Sequence, residues 1–370
     1  MRILHVGESI RGGIATYFHS TIPAQVQNYG ETEVFGIAPS CFFQDIAGVF
    51  PNLRAARWRG RSASSLFRYF LSVRAAIRDI KPTLVHAHST FAGVAVRLAV
   101  ALIPQRKRPL VIYSSHGWSF SQEIPEIKRR CYAFVERLLL FWTDGVIHIS
   151  NDEARRAHSY GLRPRAEAII YNGLPKLSME HAVKPESNSL RLLFVGRLDR
   201  QKGFDILLEA LQNVRRTDVM VKVAGSAVLR ERAGKVLPLA KRDGRIQMLG
   251  WLDQDLLIEL YREADVVVIP SRWDGFCFVA IEAMRQGIAV FASRRGALPE
   301  IVVEGVTGEL FDPYQPLQLA RLIDQATPEK MRDLGRKGYR RFEEKFGADV
   351  CSTALMDFYD HCLLRETPAG

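Results

Sequence analysis

Short runs of β-branched and aliphatic residues alternate with longer stretches of helical period along the first half of the chain. Arg2–Val6, Glu33–Ala38, Thr83–Ala87, Leu110–Ser114, Gly145–Ile149 and Ala168–Tyr171 read as strands. Regular strand–helix alternation predicts right-handed crossovers and a parallel sheet covered on both faces. The segment Leu174–Ser189 is rich in Pro, Ser and charge, and Pro175 and Pro185 discourage regular structure there. Beyond it the alternation restarts, with strands expected at Leu190–Val195, Val219–Ala224, Arg245–Leu249, Val266–Ile269 and Ala289–Ala292. Helices are expected near Phe204–Arg215, Gln254–Glu263 and Val279–Gln286, and the tail from Pro328 to Leu364 reads as consecutive helices. The fold class expected is therefore α/β, with two Rossmann-like, doubly wound parallel-sheet domains at 1–176 and 190–345. Residues 177–189 form the linker, and 346–370 a C-terminal helix returning to the first domain. Ligands of such sheets bind outside the carboxyl ends of the strands, which in this arrangement face a central cleft.

A length of 370 residues suits two domains, each able to bury its own core. No uninterrupted apolar run approaches the roughly 20 residues that span a bilayer, and Met1 leads straight into a strand-like run without the zones of a signal peptide. The expected location is cytoplasmic. Cys41, Cys131, Cys277, Cys351 and Cys362 are scattered and lack CxxC spacing, which fits free thiols better than a disulfide framework or a zinc site. Charge changes the picture only once located. Of the formal net charge of +11, residues 1–180 contribute 23 Lys and Arg against 13 Asp and Glu, and the remainder 28 against 27. The basic first half could attract nucleic acid, anionic lipid or an anionic substrate. No helix-turn-helix, zinc finger or RNP-like signature supports nucleic acid.

Candidate chemistry gathers at the strand ends. The first strand runs into a loop holding Gly12-Gly13 ahead of a helix, where backbone can approach an anion closely, although the spacing is not GxGxxG and a plain tight turn explains it equally well. In the second half, Val195-Gly196-Arg197 and Lys202-Gly203 bring two cations to the loop before a helix. An Arg fork and a Lys point charge together suit a departing diphosphate without a metal, where the bland alternative is a solvated basic loop. After Val266–Ile269 come Pro270-Ser271-Arg272-Trp273-Asp274-Gly275-Phe276-Cys277-Phe278, then Glu282 about two turns into a helix. Both carboxylates can serve one ligand only if it lies along the helix start, and such acceptors suit sugar and ribose hydroxyls.

With these motifs the chain resembles glycosyltransferase family 4, a family of retaining transferases with the GT-B fold that includes bacterial polysaccharide and lipopolysaccharide enzymes. The family's frame of Glu, seven residues, Glu is matched by Pro270-Ser271, Gly275-Phe276 and Glu282-Ala283, with Asp274 in place of the first Glu and Cys277 in place of the usual Gly. His86-Ala87-His88, His116-Gly117, Tyr171-Asn172-Gly173, Ala224-Gly225, Leu249-Gly250 and Leu298-Pro299-Glu300-Ile301 stand in the family's order. The resemblance implies that Arg197 and Lys202 hold the donor diphosphate, Glu282 the ribose and Asp274 the transferred sugar. It places His116 near the reacting sugar, has Gly12 and Gly13 approach donor phosphate or acceptor, and lines the donor pocket with Gly196, Gly225, Gly275, Phe276, Cys277 and Phe278. It implies a nucleotide-sugar co-substrate, no cofactor and no metal, with a glycan or lipid-linked acceptor.

Other features take plainer readings. Asp253-Gln254-Asp255 has the DxD pattern of metal-dependent transferases but precedes a helical segment and reads as an N-cap. His86 and His88 share a strand face without a third ligand in view, and His5 and His148 read as core or rim residues. Cys277 has no base nearby in sequence and is not expected to act as a nucleophile. Arg54–Phe70 and Lys128–Trp142 interleave cations with aromatics, as a peripheral contact with an anionic membrane would, although the aromatics could equally face the core. The competing functional readings are a nucleotide-sugar epimerase or a sugar phosphorylase of the same fold and a catalytically weak nucleotide-sugar-binding scaffold. A dinucleotide dehydrogenase lacks its GxGxxG here.

Overall fold

The computed structural model describes residues 1–58, 60, 62–177, 189–226 and 236–366. Most of the expected linker, residues 178–188, lies outside the described residues, as do Arg59 and Arg61 of the first basic–aromatic segment. The chain forms two compact units, Met1–Pro175 with Gly347–Gly370, and Lys176–Phe346.

The first unit is built on a seven-stranded parallel sheet in the order β3-β2-β1-β4-β5-β6-β7. Its strands are β1 (Ile3–Gly7), β2 (Val34–Pro39), β3 (Asn52–Ala56), β4 (Leu84–His88), β5 (Leu110–Ser114), β6 (Gly145–His148) and β7 (Glu167–Ile169). β1, β4 and β5 are buried at every position, as expected of central parallel strands covered on both faces. The helices are α1 (Gly13–Tyr29), α2 (Ala63–Ile80), α3 (Thr90–Ala101), α4 (Glu126–Leu139) and α5 (Asn151–Ser159). Right-handed crossovers put α2, α3 and α4, which all advance the sheet from β3 towards β6, on one face, and α1, which steps back from β1 to β2, on the other. The strand order reverses between β1 and β4, so the carboxyl ends of these two strands define the switch point.

The second unit has a six-stranded parallel sheet, β10-β9-β8-β11-β12-β13. Its strands are β8 (Leu190–Val195), β9 (Val219–Ala224), β10 (Ile246–Gly250), β11 (Val266–Ile269), β12 (Ala289–Ser293) and β13 (Gly308–Phe311), and its switch point lies between β8 and β11. The described helices are α6 (Phe204–Leu211), α7 (Val236–Arg242), α8 (Gln254–Glu263), α9 (Phe278–Arg285), α10 (Leu298–Ile301), α11 (Pro316–Asp324) and α12 (Pro328–Lys345). Asp253 caps α8, its carboxylate accepting from the Leu256 N–H at 3.0 Å. The last helix, α13 (Ala348–Glu366), belongs to the first unit, where it packs on α1 and β5. Two strands escape the sequence pattern. β3 is an edge strand of composition Asn-Leu-Arg-Ala-Ala, and β13 is four residues opened by a glycine, so neither carries the usual β-branched signal. The segment Arg54–Phe70 is accordingly two elements: Arg54 lies in β3, and Tyr69, in α2, is fully buried in the core.

Candidate active site

In the second unit the expected residues meet at the β8/β11 switch point. Lys202 follows β8 on the turn into α6, and Asp274 follows β11 ahead of α9; their side chains pair at 2.6 Å, with Lys202 20% and Asp274 9% exposed. Burial alone would lower the lysine pKa, but Asp274 and its hydrogen bond outweigh burial and hold it above its ordinary value. Gly203 starts α6 at φ 70°, with Pro270 O only 2.1 Å from where a Cβ would stand, so the Lys202 turn lies against the β11 exit as only glycine permits. Gly196 and Gly225 make a similar approach at the ends of β8 and β9: a Cβ on Gly225 would fall 1.8 Å from Gly196 O. Gly225 also donates its N–H to Gly250 O at 2.7 Å, which joins the ends of three neighbouring strands.

The remaining candidates of this unit have definite partners. Arg197 is tied to Asp199 at 3.1 Å and to Gln201 at 2.7 Å, with 44% of its side chain exposed. Gly275, Phe276 and Cys277 lead directly into α9, whose first residue is Phe278. Cys277 is buried, and burial pushes its thiol up to about 12, so it stays protonated at neutral pH. Glu282 accepts a 2.6 Å hydrogen bond from the Tyr261 hydroxyl of α8. Burial raises the Glu282 pKa, while Tyr261, Arg285 and Lys202 oppose the rise. Asp274 and Glu282, expected to serve one ligand together, thus have separate partners, Lys202 and Tyr261. Tyr261 has no signal in the sequence beyond an apolar position on an amphipathic helix.

In the first unit the structure assembles imidazoles that are far apart in sequence. His5 on β1 and His88 on β4 meet at 3.0 Å, and His88 meets His116, just after β5, at 3.0 Å. His5 Nε2 contacts Gln25 Oε1 at 2.8 Å. An amide oxygen only accepts, so His5 carries its proton on Nε2; its Nδ1 then accepts from His88 Nε2–H, and His88 Nδ1 from His116 Nε2–H. The third imidazole missing from the sequence pattern is thus His5, and His86 stands beside it, held by Tyr359 at 2.5 Å and Ser114 at 2.8 Å. Burial lowers His5 and His116 to about 4 and His86 and His88 well below their ordinary value, so the cluster is neutral. His116 adopts φ 50°, a left-handed conformation, and Glu153 pins its loop. One Glu153 oxygen accepts from the Ser115 hydroxyl at 2.5 Å and the Gly117 N–H at 2.7 Å, the other from the Ile149 N–H at 2.7 Å. The capping-box spacing Ser150…Glu153 is the sequence signal that could have found this residue. Gly12, at φ 77°, caps α1 and opens onto empty space, with Gly13 as the first residue of the helix.

Both units resemble known proteins. The family model "Glycosyltransferase Family 4" matches residues 11–175, and "Glycosyl transferases group 1" matches residues 179–341. The HepE protein of Anabaena, solved in complex with UDP-glucose, superposes with a TM-score of 0.81 at 19% identity, covering 98% of this chain and 100% of that one. The chain is a glycosyltransferase of the family 4 type, with the GT-B fold. A 41.2 kDa protein from the cps region of Klebsiella pneumoniae is 28% identical to this glycosyltransferase over 336 residues, 88% of this chain and 90% of that protein. The lipopolysaccharide 1,2-N-acetylglucosaminetransferase of Salmonella typhimurium is 31% identical over 176 residues, 45% of this chain and 46% of that protein. Among the described residues of the glycosyltransferase, no helix is long and apolar enough to cross a membrane.

Proposed function

We propose that this glycosyltransferase moves a sugar, with retention and without a metal, from a nucleotide-sugar donor to a glycan or lipid-linked acceptor in cell-surface polysaccharide or lipopolysaccharide synthesis. The observation that carries the donor reading is the Lys202–Gly203 turn at the β8/β11 switch point, where a partly buried ammonium stands at the strand ends beside Asp274. Lys202 and Arg197 neutralise the diphosphate as it departs, the work a metal does elsewhere. Glu282 accepts hydrogen bonds from the ribose hydroxyls, and Asp274, released in part from Lys202 when the diphosphate binds, accepts from the sugar. In the reaction the acceptor hydroxyl oxygen bonds to the anomeric carbon as the bond from that carbon to the diphosphate oxygen breaks, and the hydroxyl proton passes to the diphosphate. Attack on the face the diphosphate leaves retains configuration. One feature supports a route without a cysteine-bound intermediate: the buried Cys277 thiol is protonated. In the first unit, His116 offers Nδ1 to a sugar hydroxyl.

Donor and acceptor class draw support from relatives: HepE was solved with UDP-glucose, and other relatives lie in a cps region or carry a lipopolysaccharide transferase name. The test is binding and slow hydrolysis of UDP-, GDP-, ADP- and dTDP-sugars in EDTA, with wild type and Glu282→Ala. Selective turnover that survives EDTA and falls at least about tenfold in Glu282→Ala is expected, as for loss of a charged hydrogen bond. Turnover abolished by EDTA, or unchanged in Glu282→Ala, overturns the reading.

A further inference from the structure

Helix α4 is built with its polarity reversed. Its inward face buries Ala133, Glu136 and Leu139, and Glu136 is fixed there by a 2.8 Å ion pair with the fully buried Arg97 of α3 and by the Tyr113 hydroxyl at 3.3 Å. The opposite face carries Ile127, Phe134 and Leu138, continued by Phe141 in the 3-10 turn after the helix, and these four side chains are 55% to 74% exposed. Their spacing of i, i+7, i+11 and i+14 is one stripe of a 3.6-residue helix, directly opposite the packed side. Solvent-facing helix surfaces are ordinarily polar. Here a charged residue has been taken inward and large apolar ones left outward. The adjoining α3 packs against Leu140–Trp142, and Leu102, the residue after it, is exposed.

Charge decides what covers such a stripe. Lys128, Arg129, Arg130 and Arg137 belong to the same helix, against one carboxylate outside the core, Glu126. Arg130 and Arg137, seven residues apart, share one flank of the stripe, and Lys128 lies on the other. A second protein chain would be expected to answer an apolar stripe with an apolar one, whereas cations along both margins match a layer in which hydrocarbon lies beneath phosphate.

We propose that α4 is an in-plane docking helix, which sets Ile127, Phe134, Leu138 and Phe141 into the surface of an anionic bilayer while its arginines meet the lipid phosphates. The proposed lipid-linked acceptor gives this docking its purpose, but the docking is measured without donor or acceptor, so its failure and that of the transfer reaction are separable. The full chain is floated with vesicles of phosphatidylcholine alone and of phosphatidylcholine containing about one third phosphatidylglycerol. Wild type is expected to bind the anionic vesicles at least about tenfold more tightly than the zwitterionic ones, with the difference shrinking as salt rises. Phe134→Asp with Leu138→Asp is expected to weaken anionic binding by about a hundredfold, because two apolar anchors are lost. Arg130→Glu with Arg137→Glu keeps the stripe and the core face, so it serves if the first variant folds poorly; it is expected to weaken anionic binding about tenfold with an unchanged melting temperature. The proposal is overturned if wild type does not bind anionic vesicles, or if the surface variants bind them as wild type does. It is equally overturned if the apolar substitutions only dissolve a dimer of the chain and leave vesicle binding intact.

Discussion

Replacing Lys202 with Ala removes the cation from a largely buried pair and leaves the Asp274 carboxylate without it. Breaking such a pair costs about 3–5 kcal/mol in a protein interior, and the lower end applies because Lys202 keeps 20% exposure. A loss of about 3 kcal/mol corresponds to opening reactions in the second unit that are favoured about a hundredfold more, which hydrogen exchange of the β8 and β11 amides reads directly. Adding Asp274→Ala to Lys202→Ala removes the stranded charge, and the double variant is expected to recover about 2 kcal/mol of that loss. Donor turnover is expected to behave otherwise, staying at least about tenfold below wild type in both variants because the cation opposite the diphosphate is gone. Stability and activity thus part company. If the double variant is no more stable than Lys202→Ala, the pair does not hold the site as its geometry implies. If the double variant regains turnover, Lys202 acts only through the fold.

Acid is expected to loosen the first unit. His5 is neutral in the fold, with its pKa lowered by burial to about 4, so its contribution is fully present above about pH 6.5 and is lost as pH falls from there towards 4; at about pH 5 His5 alone accounts for about 2 kcal/mol. Exchange of β4 amides at neutral and acidic pH measures this, and equal protection at both would contradict a neutral cluster. Tyr261→Phe removes a hydrogen bond that favours the Glu282 carboxylate, so the loss of donor binding at low pH is expected to move to higher pH; an unmoved acid limb would remove Glu282 from donor recognition. Gly225→Ala puts a Cβ 1.8 Å from Gly196 O and is expected to cost more in urea unfolding than Gly12→Ala, which meets nothing within 4 Å and carries only the strain of its positive φ, about 1–3 kcal/mol. Equal effects at the two glycines would count against the close approach of the β8 and β9 ends.

The α/β class, the restart of the alternation after residue 189 and the residues at the β8 and β11 ends were legible because hydrophobic period and strand-end chemistry are local properties. The same holds for Asp253 as a cap, which needs only its own helix. β3 and β13 were hidden because edge strands of composition Asn-Leu-Arg-Ala-Ala and Gly-Glu-Leu-Phe draw their stability from neighbours rather than from β-branched residues of their own. Which side chain meets which was decided by tertiary structure alone. Lys202 and Asp274 are 72 residues apart, and His5 and His88 are 83 apart. Only strand order makes them adjacent, and burial then keeps the two histidines neutral. Helix α4 shows the division most clearly. Its sequence displays cations and aromatics together but fits either face towards the core. The buried Arg97–Glu136 pair fixes the rotation of the helix and leaves the apolar stripe outside.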